Sequence, residues 1–423
     1  MNVIVSFREI DKAINKNYES VSKRMDEDLK KIEKDRSKAF RMQAAFGAAL
    51  RDIAEAAAEV DPELMYTPEH RMASLIQTYL GEQAAKYGKC ESVPQGGYEI
   101  KFAHDDILGW LFGLFDWIQG LWPHKMIHPK NAIPNTFPNS ARFAVFGDWG
   151  TGLYGAPVIG KTLENDPNPF TMLLHLGDVY YSGTETEINF RFLKYWPQRK
   201  DAISRALNSN HEMYSGGHGY FKKTLPTFGQ SSSYFAFQND YWTIIGLDTG
   251  YEDHDLDNEQ VKWLNEVIGQ AQDRKVILSS HHQPYSHISG QGPKLIEKLG
   301  NLLNAKKIFA WYWGHEHRCV LYDQHPIYGF YGRCIGHSGM PYARKKVSHI
   351  PIAEKDKDIE WRRMEAKNMV PGALFLDGPN RYIKKKEKKY GPNGYITLEF
   401  EDEHLNEVLH EPDGTKIYEK QIA

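Results

Sequence analysis

Residues 142–150 read RFAVFGDWG, a short apolar run that leads directly into a glycine and an aspartate. A run of this length and composition is typical of a buried strand. Four more runs of the same kind follow along the chain. They are residues 171–176 (TMLLHL), 241–247 (YWTIIGL), 275–279 (KVILS) and 307–313 (KIFAWYW). The five runs predict the buried strands of an α/β fold.

Polar motifs stand beside these strands. Four runs lead straight into residues 147–150 (GDWG), 177–181 (GDVYY), 281–284 (HHQP) and 314–317 (GHEH), and a fifth motif is 210–212 (NHE). Side chains gather outside the carboxyl ends of strands in an open α/β sheet. Two hard or borderline cations about 3.5 to 4 Å apart require carboxylate and amide oxygens together with neutral imidazoles. The motifs therefore predict a site for two metal ions, bridged by Asp178.

This ordered set resembles the motifs of the calcineurin-like metallophosphoesterase superfamily. Asp-Trp-Gly at 148–150, with Tyr181 three residues after Asp178, resembles its purple acid phosphatase branch. Most of the superfamily has a histidine where this chain has Gly150. The resemblance implies an α/β fold with a calcineurin-like metallophosphoesterase β-sandwich flanked by helices. It covers residues 142–342 strongly, so we divide the chain into a helical N-terminal region, 1–140, and a catalytic domain, 141–423.

The resemblance also implies the metal ligands. One metal would be held by Asp148, Asp178, Tyr181 and His317, and the other by Asp178, Asn210, His282 and His315. The matching tyrosine of the branch ligates a ferric ion, which assigns that role to Tyr181. Its neighbour Tyr180 is the alternative, because side chains at a strand end alternate in direction. The implied cofactors are two metal ions, iron with zinc, manganese or a second iron.

Two residues of the motif at 210–212 are assigned catalytic roles by the resemblance. His211 would meet the phosphate and the leaving oxygen of the substrate, with Glu212 as its orienting partner. Glu212 as a loop or helix-capping carboxylate is the alternative. Ser209 stands where the family usually has glycine, and we expect this change to be tolerated because it removes no ligand.

Three further histidines lie near the motifs. His281, one residue before the ligand His282, is expected to support the ligands or to contact substrate. His218 lies in the glycine-rich residues 213–220 (MYSGGHGY), a plausible rim over the substrate. A solvated loop histidine is the simpler interpretation of both His218 and His254.

The resemblance implies hydrolysis of phosphoric esters. A hydroxide bound to the metals would attack phosphorus in line, while protonated His211 would donate to the departing alkoxide. Monoesters are favoured, as in an acid phosphatase, and the substrate would be a phosphorylated small molecule or a nucleotide. A phosphodiesterase acting on nucleotides or lipids is an alternative. An alternative of another class is an assembly protein, recruited by a partner or a membrane, in which the metal site is regulatory.

Composition restricts the partners and the cellular location that we expect for the protein. The 423 residues carry a net charge of −3, which gives no general attraction to nucleic acid. Cys90, Cys319 and Cys334 form no CxxC pair, as expected for reduced thiols in a cytosol. The first nine residues lack the apolar core of a signal peptide. We therefore expect a cytoplasmic protein, with peripheral membrane contact as the alternative.

The N-terminal region has a helical pattern. Apolar residues recur at threes and fours from Ile10 to Ile32, and a second helix is predicted from Thr67 to near Gly88. The first helix allows a homodimer, although packing on its own chain is favoured. Residues 107–122 (ILGWLFGLFDWIQGLW) would form a helix of about 24 Å, too short for a bilayer core of about 30 Å. Burial against the sheet or an interfacial contact remains open for this segment.

The C-terminal part is expected to complete the sheet. Residues 395–400 and 405–409 predict an antiparallel meander, and residues 336–342 (GHSGMPY) a loop that returns towards the metals. The lysine run 384–389 (KKKEKK) is interpreted as a solvated loop, with anion binding as the alternative.

Overall fold

The computed structural model describes residues 123–251, 254–290 and 292–423. Of the first 122 residues it describes 3–4, 71, 74–79, 82, 90–92 and 98–100. The predictions for the helix at residues 10–32 and for the segment 107–122 lie outside the described residues.

Strands are the most frequent regular elements among the described residues. In the N-terminal part they are β1 (Val3–Ile4), β2 (Cys90–Ser92), β3 (Tyr98–Ile100) and β4 (Asn135–Thr136). In the middle of the chain they are β5 (Ser140–Phe146), β6 (Met172–His175), β7 (Ile203–Ala206), β8 (Phe235–Gln238), β9 (Trp242–Gly246), β10 (Lys275–Ser280) and β11 (Ile308–Trp313). Towards the C-terminus they are β12 (Cys319–Gln324), β13 (Tyr331–Ile335), β14 (Ile352–Asp356), β15 (Ile359–Met364), β16 (Ala373–Asp377), β17 (Tyr395–Glu401), β18 (His404–His410) and β19 (Lys416–Gln421).

Helices are shorter and lie between the strands. They are α1 (Ala156–Asn165), α2 (Glu185–Glu187), α3 (Asn210–Tyr214), α4 (Leu225–Thr227), α5 (Asn258–Gln270), α6 (Pro293–Lys298) and α7 (Gly300–Asn304). Ile188–Phe192 and Tyr220–Thr224 are π-helical, and Leu193–Tyr195, Arg344–Lys346 and Glu387–Lys389 are single 3₁₀ turns. The Asp257 side chain caps α5 by accepting a hydrogen bond from the Gln260 amide at 2.6 Å.

Two sheets face each other. In the described part of the chain, one has the order β19-β18-β17-β5-β6-β7 and the other the order β14-β15-β16-β12-β13-β11-β10-β9-β8-β4. The strands β5, β6 and β7 are parallel, as are β9, β10, β11 and β13. All five predicted buried strands are confirmed, as β5, β6, β9, β10 and β11, and β17–β19 form the predicted antiparallel meander.

The main core lies between the sheets. Phe143 and Val145 of β5 share one apolar cluster with Ile277 of β10 and Tyr312 of β11. Helix α5 covers the outer face of the larger sheet, and α1 covers β5 and β6. The prediction of an α/β fold with a β-sandwich flanked by helices is confirmed.

The described N-terminal pieces differ in part from the predicted helical region. Residues 74–79 are helical, as the second predicted helix requires, but β1, β2 and β3 form a small sheet that the sequence pattern did not predict. The helical piece contacts residues that lie later in the chain. Arg71 Nε donates to the Tyr214 carbonyl at 3.0 Å, and Thr78 Oγ1 donates to Glu187 at 3.1 Å. No helix in the described part of the chain has the length and apolar character of a membrane span.

Candidate metal centre

The carboxyl ends of parallel strands bring the predicted motifs together. The chain leaves β5 at Asp148, β6 at Asp178, β10 at His281 and β11 at His315, and α3 begins at Asn210 after β7. The first two motifs are cross-linked, because Asp148 N donates to Gly177 O at 2.9 Å. The motif residues therefore meet at one edge of the sandwich.

Asp148 is held in an unusual conformation. Its φ is 55°, which is rare outside glycine, and its Oδ1 accepts a hydrogen bond from His315 N at 2.9 Å. Its Oδ2 is buried and has no hydrogen-bond partner among the described residues. Burial and the charge of Asp178 raise the pKa of Asp148 well above its usual range. A cation beside Oδ2 would stabilise the ionised form.

Asp178 is the most densely bonded acid of the site. It accepts hydrogen bonds from Tyr180 Oη at 2.8 Å and from Ser209 Oγ at 2.5 Å, and its Oδ1 lies 3.1 Å from His281 Nε2. Burial acts to raise the pKa of Asp178, but His281 and His211 overcome this effect and hold the pKa well below its usual range. Asp178 is therefore present as a carboxylate, as a bridging ligand requires.

His281 is more central than the sequence predicts. Its Nε2 lies 3.1 Å from Asp178 Oδ1, 3.1 Å from Asn210 Oδ1 and 3.2 Å from His315 Nδ1. Its Nδ1 donates to the Leu176 carbonyl at 2.8 Å. His281 belongs to two groups of potential metal ligands, one with His282 and His315 and one with Asp148 and Asp178; within each group the ligand atoms lie within 4.8 Å of one another.

His282 is positioned as a ligand by a residue that the sequence did not single out. Its Nδ1 lies 2.9 Å from the Thr249 hydroxyl, and its Nε2 is buried without a hydrogen-bond partner among the described residues. Burial and the nearby His315 hold the pKa of His282 well below its usual range, so the ring is neutral. His254 also packs against it, with 4.1 Å between ring centroids, so His254 belongs to the site.

These donors fit metal ions. Carboxylate, amide and neutral imidazole groups are common ligands of iron, zinc and manganese. A buried polar group without a partner costs about 1 to 3 kcal/mol, and both Asp148 Oδ2 and His282 Nε2 are in that position. Two bound cations would satisfy both atoms.

The two tyrosines of the second motif have different surroundings. The hydroxyl of Tyr180 lies 2.8 Å from Asp178 Oδ2 and 2.5 Å from His317 Nε2. The ring of Tyr181 instead lies under Arg191, whose Cζ is 5.0 Å from its centroid. The geometry thus favours Tyr180, the alternative, as the tyrosine at the metal site, and ligation by Tyr181 stays a prediction.

Glu212 and His211 form hydrogen bonds with different backbone groups, and the orienting role of Glu212 stays a prediction. The Nδ1 of His211 donates to the Tyr181 carbonyl at 2.7 Å, whereas Glu212 accepts hydrogen bonds from the amides of Asp178 and Val179, each at 3.2 Å. Glu212 therefore holds the backbone of the second motif. Burial and the charge of Asp178 raise the pKa of Glu212 to about 7.

Ser209 has a role that the sequence analysis missed. It caps α3, where its side chain accepts hydrogen bonds from the amides of His211 and Glu212. Its hydroxyl also contacts the carboxylates of Asp178 and Glu212. The pattern Ser-x-x-Glu at 209–212 is a capping-box signal and could have identified this residue.

The remaining predicted residues fall into two groups. Asn210 turns its Oδ1 towards His281, because its Nδ2 donates to Tyr214 Oη at 2.9 Å. The side chain of His317 also lies at the site, and 23% of it is exposed. His218 instead contacts the ring of His124 at 5.9 Å between centroids. Its role at the substrate rim stays a prediction.

The loop at residues 336–342 returns to the metal site, as predicted. Met340 N donates to the Asp148 carbonyl at 2.9 Å. Gly336 lies so close to Asp148 that a Cβ on it would be 1.9 Å from Oδ2. The absence of a side chain at 336 thus makes room for the Asp148 carboxylate.

A comparison with protein families supports the superfamily resemblance. Residues 141–319 match the family model of the calcineurin-like phosphoesterases. This calcineurin-like phosphoesterase segment contains all five polar motifs, so the resemblance at the level of the superfamily is confirmed. A comparison with curated proteins finds no match.

A comparison with solved structures finds remote similarities. A purple acid phosphatase from yellow lupin (Lupinus luteus) seeds is 14% identical, with a TM-score of 0.48, over 69% of this chain and 55% of that one. PhoD is 10% identical, with a TM-score of 0.43, over 69% and 73%. Vps29 from Entamoeba histolytica is 9% identical, with a TM-score of 0.28, over 66% and 97%. The chain thus spans little more than half the length of the lupin protein.

Proposed function

We propose that this protein hydrolyses phosphoric esters at a pair of metal ions, with monoesters favoured. The observation that carries the proposal is the pair of ligand groups that share His281 at the edge of the sandwich. The candidate ligands are Asp148, Asp178, Tyr180, Asn210, His281, His282, His315 and His317. When bound, the metals would neutralise phosphate oxygens and activate a water molecule.

His211 is the proposed proton carrier. Its Nδ1 is bonded to the Tyr181 carbonyl, so this nitrogen carries the proton of the neutral ring and Nε2 is left to accept one. Burial lowers the pKa of His211 to about 4, which keeps the ring neutral near pH 7. A monoester in its monoanionic form brings its own proton, which can pass to Nε2 and then to the leaving oxygen. Diesters lack this proton, which supports the preference for monoesters.

Iron is the proposed metal of one site, with zinc, manganese or a second iron in the other. The Tyr180 hydroxyl between Asp178 and His317 supports this choice, because it adds a phenol oxygen to the ligand set. A ferric ion bound by a tyrosine gives visible charge-transfer absorption, as the purple acid phosphatase resemblance implies.

We propose a phosphorylated small molecule or a nucleotide as the substrate and a cytoplasmic setting for the protein. Cys319 and Cys334 are free and buried, which is compatible with reduced thiols. A homodimer through the N-terminal region is a further proposal. The described helical residues of that region pack on their own chain.

Initial rates on 4-nitrophenyl phosphate and bis(4-nitrophenyl) phosphate test the proposal, with iron, zinc and manganese supplied. Monoester turnover that disappears in Asp178→Asn supports it. A preference for the diester would instead favour a phosphodiesterase. Bound metal without turnover of either substrate would favour the assembly protein with a regulatory metal site.

A further inference from the structure

Arg318 is a buried cation beside the candidate metal centre. It directly follows His317, and only 7% of the residue is exposed. Its Nε donates to the Glu316 carbonyl at 2.8 Å, while its Nη1 is buried with no hydrogen-bond partner among the described residues. Other buried arginines have acidic partners, such as Glu407 for Arg333. Arg318 therefore retains donors that an anionic ligand could use.

Tyr342 fixes the guanidinium of Arg318 against a second part of the chain. The Cζ of Arg318 lies 5.5 Å from the centroid of the Tyr342 ring. The Tyr342 hydroxyl donates to the Leu376 carbonyl at 2.7 Å, and Gly391 N donates to the Tyr342 carbonyl at 3.0 Å. Arg318 is thus connected through Tyr342 to the chain that follows the lysine run.

Two basic segments meet at this place and form what we call the basic rim, residues 344–346 and 384–389. They lie side by side, because Ala343 pairs with Tyr390 and Arg344 Nη1 donates to the Lys388 carbonyl at 3.4 Å. The nine residues of the basic rim (RKK and KKKEKK) contain eight cations and one acid, in a chain whose net charge is −3. Lys384 and Lys385 are exposed.

Loop 336–342 connects the candidate metal site to the basic rim. Its Met340 N donates to the Asp148 carbonyl at 2.9 Å, and its last residue, Tyr342, contacts the guanidinium of Arg318. Residues 344–346 of the basic rim begin two residues after Tyr342. Arg318 and the basic rim therefore lie at the end of a loop that contacts the candidate metal site.

We propose that Arg318 and the basic rim bind a second phosphate group of the substrate, one that is not hydrolysed. This inference rests on the proposed function, since it names the class of phosphoric ester that the site accepts. A guanidinium offers paired N–H donors that match phosphate oxygens, and exposed lysines attract an anion over a longer distance. The same chemistry is found in soluble bisphosphates and in the headgroups of phosphorylated lipids.

Three substrates with the same hydrolysable group test the proposal. Inositol 4-phosphate has no second phosphate, inositol 1,4-bisphosphate carries one in solution, and phosphatidylinositol 4-phosphate in phosphatidylcholine vesicles carries one at a lipid surface. Phosphate release is measured for the wild type, Arg318→Gln, Arg318→Lys and the rim variant Lys384→Gln/Lys385→Gln. Lys416→Gln on β19 removes one positive charge outside the rim and is the matched control for Arg318→Gln. Calorimetry of inositol 1,4-bisphosphate binding gives a readout that does not require turnover.

The wild type is expected to have a kcat/KM at least about tenfold higher for a bisphosphate than for inositol 4-phosphate, the factor that one charge-assisted hydrogen bond can supply. Arg318→Gln should remove most of this preference, Arg318→Lys should keep part of it, and Lys416→Gln should keep all of it. Preference for the soluble or for the vesicle substrate identifies the source of the second phosphate, and either result supports the inference.

An equal preference in the wild type and in Arg318→Gln overturns the inference, provided that both hydrolyse inositol 4-phosphate. If the metal-loaded wild type hydrolyses neither these substrates nor 4-nitrophenyl phosphate, the proposed function fails and calorimetry decides the inference separately. Weaker binding of inositol 1,4-bisphosphate to Arg318→Gln than to Lys416→Gln then supports it, and equal binding overturns it.

Discussion

The hydroxyl of Ser209 lies 2.5 Å from Oδ1 of Asp178, so the residue that caps α3 is also bonded to the central carboxylate of the metal site. Folding of this helix and placement of Asp178 therefore depend on one side chain. The glycine that the family usually has at this position could make neither contact.

Ser209→Ala is expected to lower the free energy of unfolding by about 1 to 2 kcal/mol, because it removes both the helix cap and a buried hydrogen bond. Urea unfolding measures the change. Ser209→Gly separates the two effects, because glycine costs only a few tenths of a kcal/mol as a cap. Unchanged stability in Ser209→Ala would contradict the double role of the hydroxyl.

Tyr180→Phe is expected to abolish the visible charge-transfer absorption of the iron-loaded protein, because it removes the hydroxyl that lies between Asp178 and His317. Tyr181→Phe is the matched control and should retain the band. Absorption spectra of the two variants at equal iron content decide between them. Loss of the band in Tyr181→Phe alone would show that Tyr181 is the iron ligand, as the sequence resemblance implies.

Gly336→Ala is expected to displace the Asp148 carboxylate, because the added methyl group would lie 1.9 Å from Oδ2. Metal content and turnover should both fall at least about tenfold, the effect of losing about 1.4 kcal/mol of binding. Gly269→Ala in α5 is the control, since nothing lies within 4 Å of its new Cβ. Normal metal content in Gly336→Ala would show that the loop can move away from Asp148.

His337 should make the metal-free protein sensitive to acid. Burial lowers the pKa of His337 to about 3, whereas the unfolded chain has the usual value of 6.5. Since the folded pKa is the lower one, the unfolded state binds more protons between these values, and stability is lost as the pH falls from 6.5 towards 3.

The expected loss from His337 alone is about 2 kcal/mol between pH 7.5 and pH 5. Urea unfolding of the wild type and of His337→Gln at the two pH values measures it as the difference between their pH dependences. Parallel pH dependences would show that His337 does not remain neutral when the protein folds.

The meeting of the motif residues at one edge could be predicted because these residues follow strands that are easy to recognise. The apolar runs before Asp148, Asp178, His281 and His315 have the length and composition of buried strands, and each became one. Parallel strands then place their carboxyl ends at one edge, which brings distant motifs together without any knowledge of the loops.

Other features depend on loop conformation, which the periodicity of apolar residues in the sequence does not predict. Tyr180 and Tyr181 are adjacent, and only the path of the backbone after Asp178 decides which hydroxyl reaches it. Thr249 lies in a loop without a motif, yet it positions His282. The strands β2 and β3 have three residues each, too few for alternation to be visible.

The roles of Ser209 and Arg318 differ in how far the sequence predicts them. The capping-box spacing identifies Ser209 as a helix cap. No sequence signal shows that the Nη1 of Arg318 is buried without a hydrogen-bond partner among the described residues.

The most direct test of the two-metal account is a titration of the metal-free protein with iron and zinc, in which bound metal and hydrolysis of 4-nitrophenyl phosphate are measured on the same samples. Two metal ions per chain are expected, with turnover rising as the second one binds, and both metal and turnover should be lost in Asp178→Asn. Full turnover with one metal ion per chain, or undiminished metal content in Asp178→Asn, would contradict it.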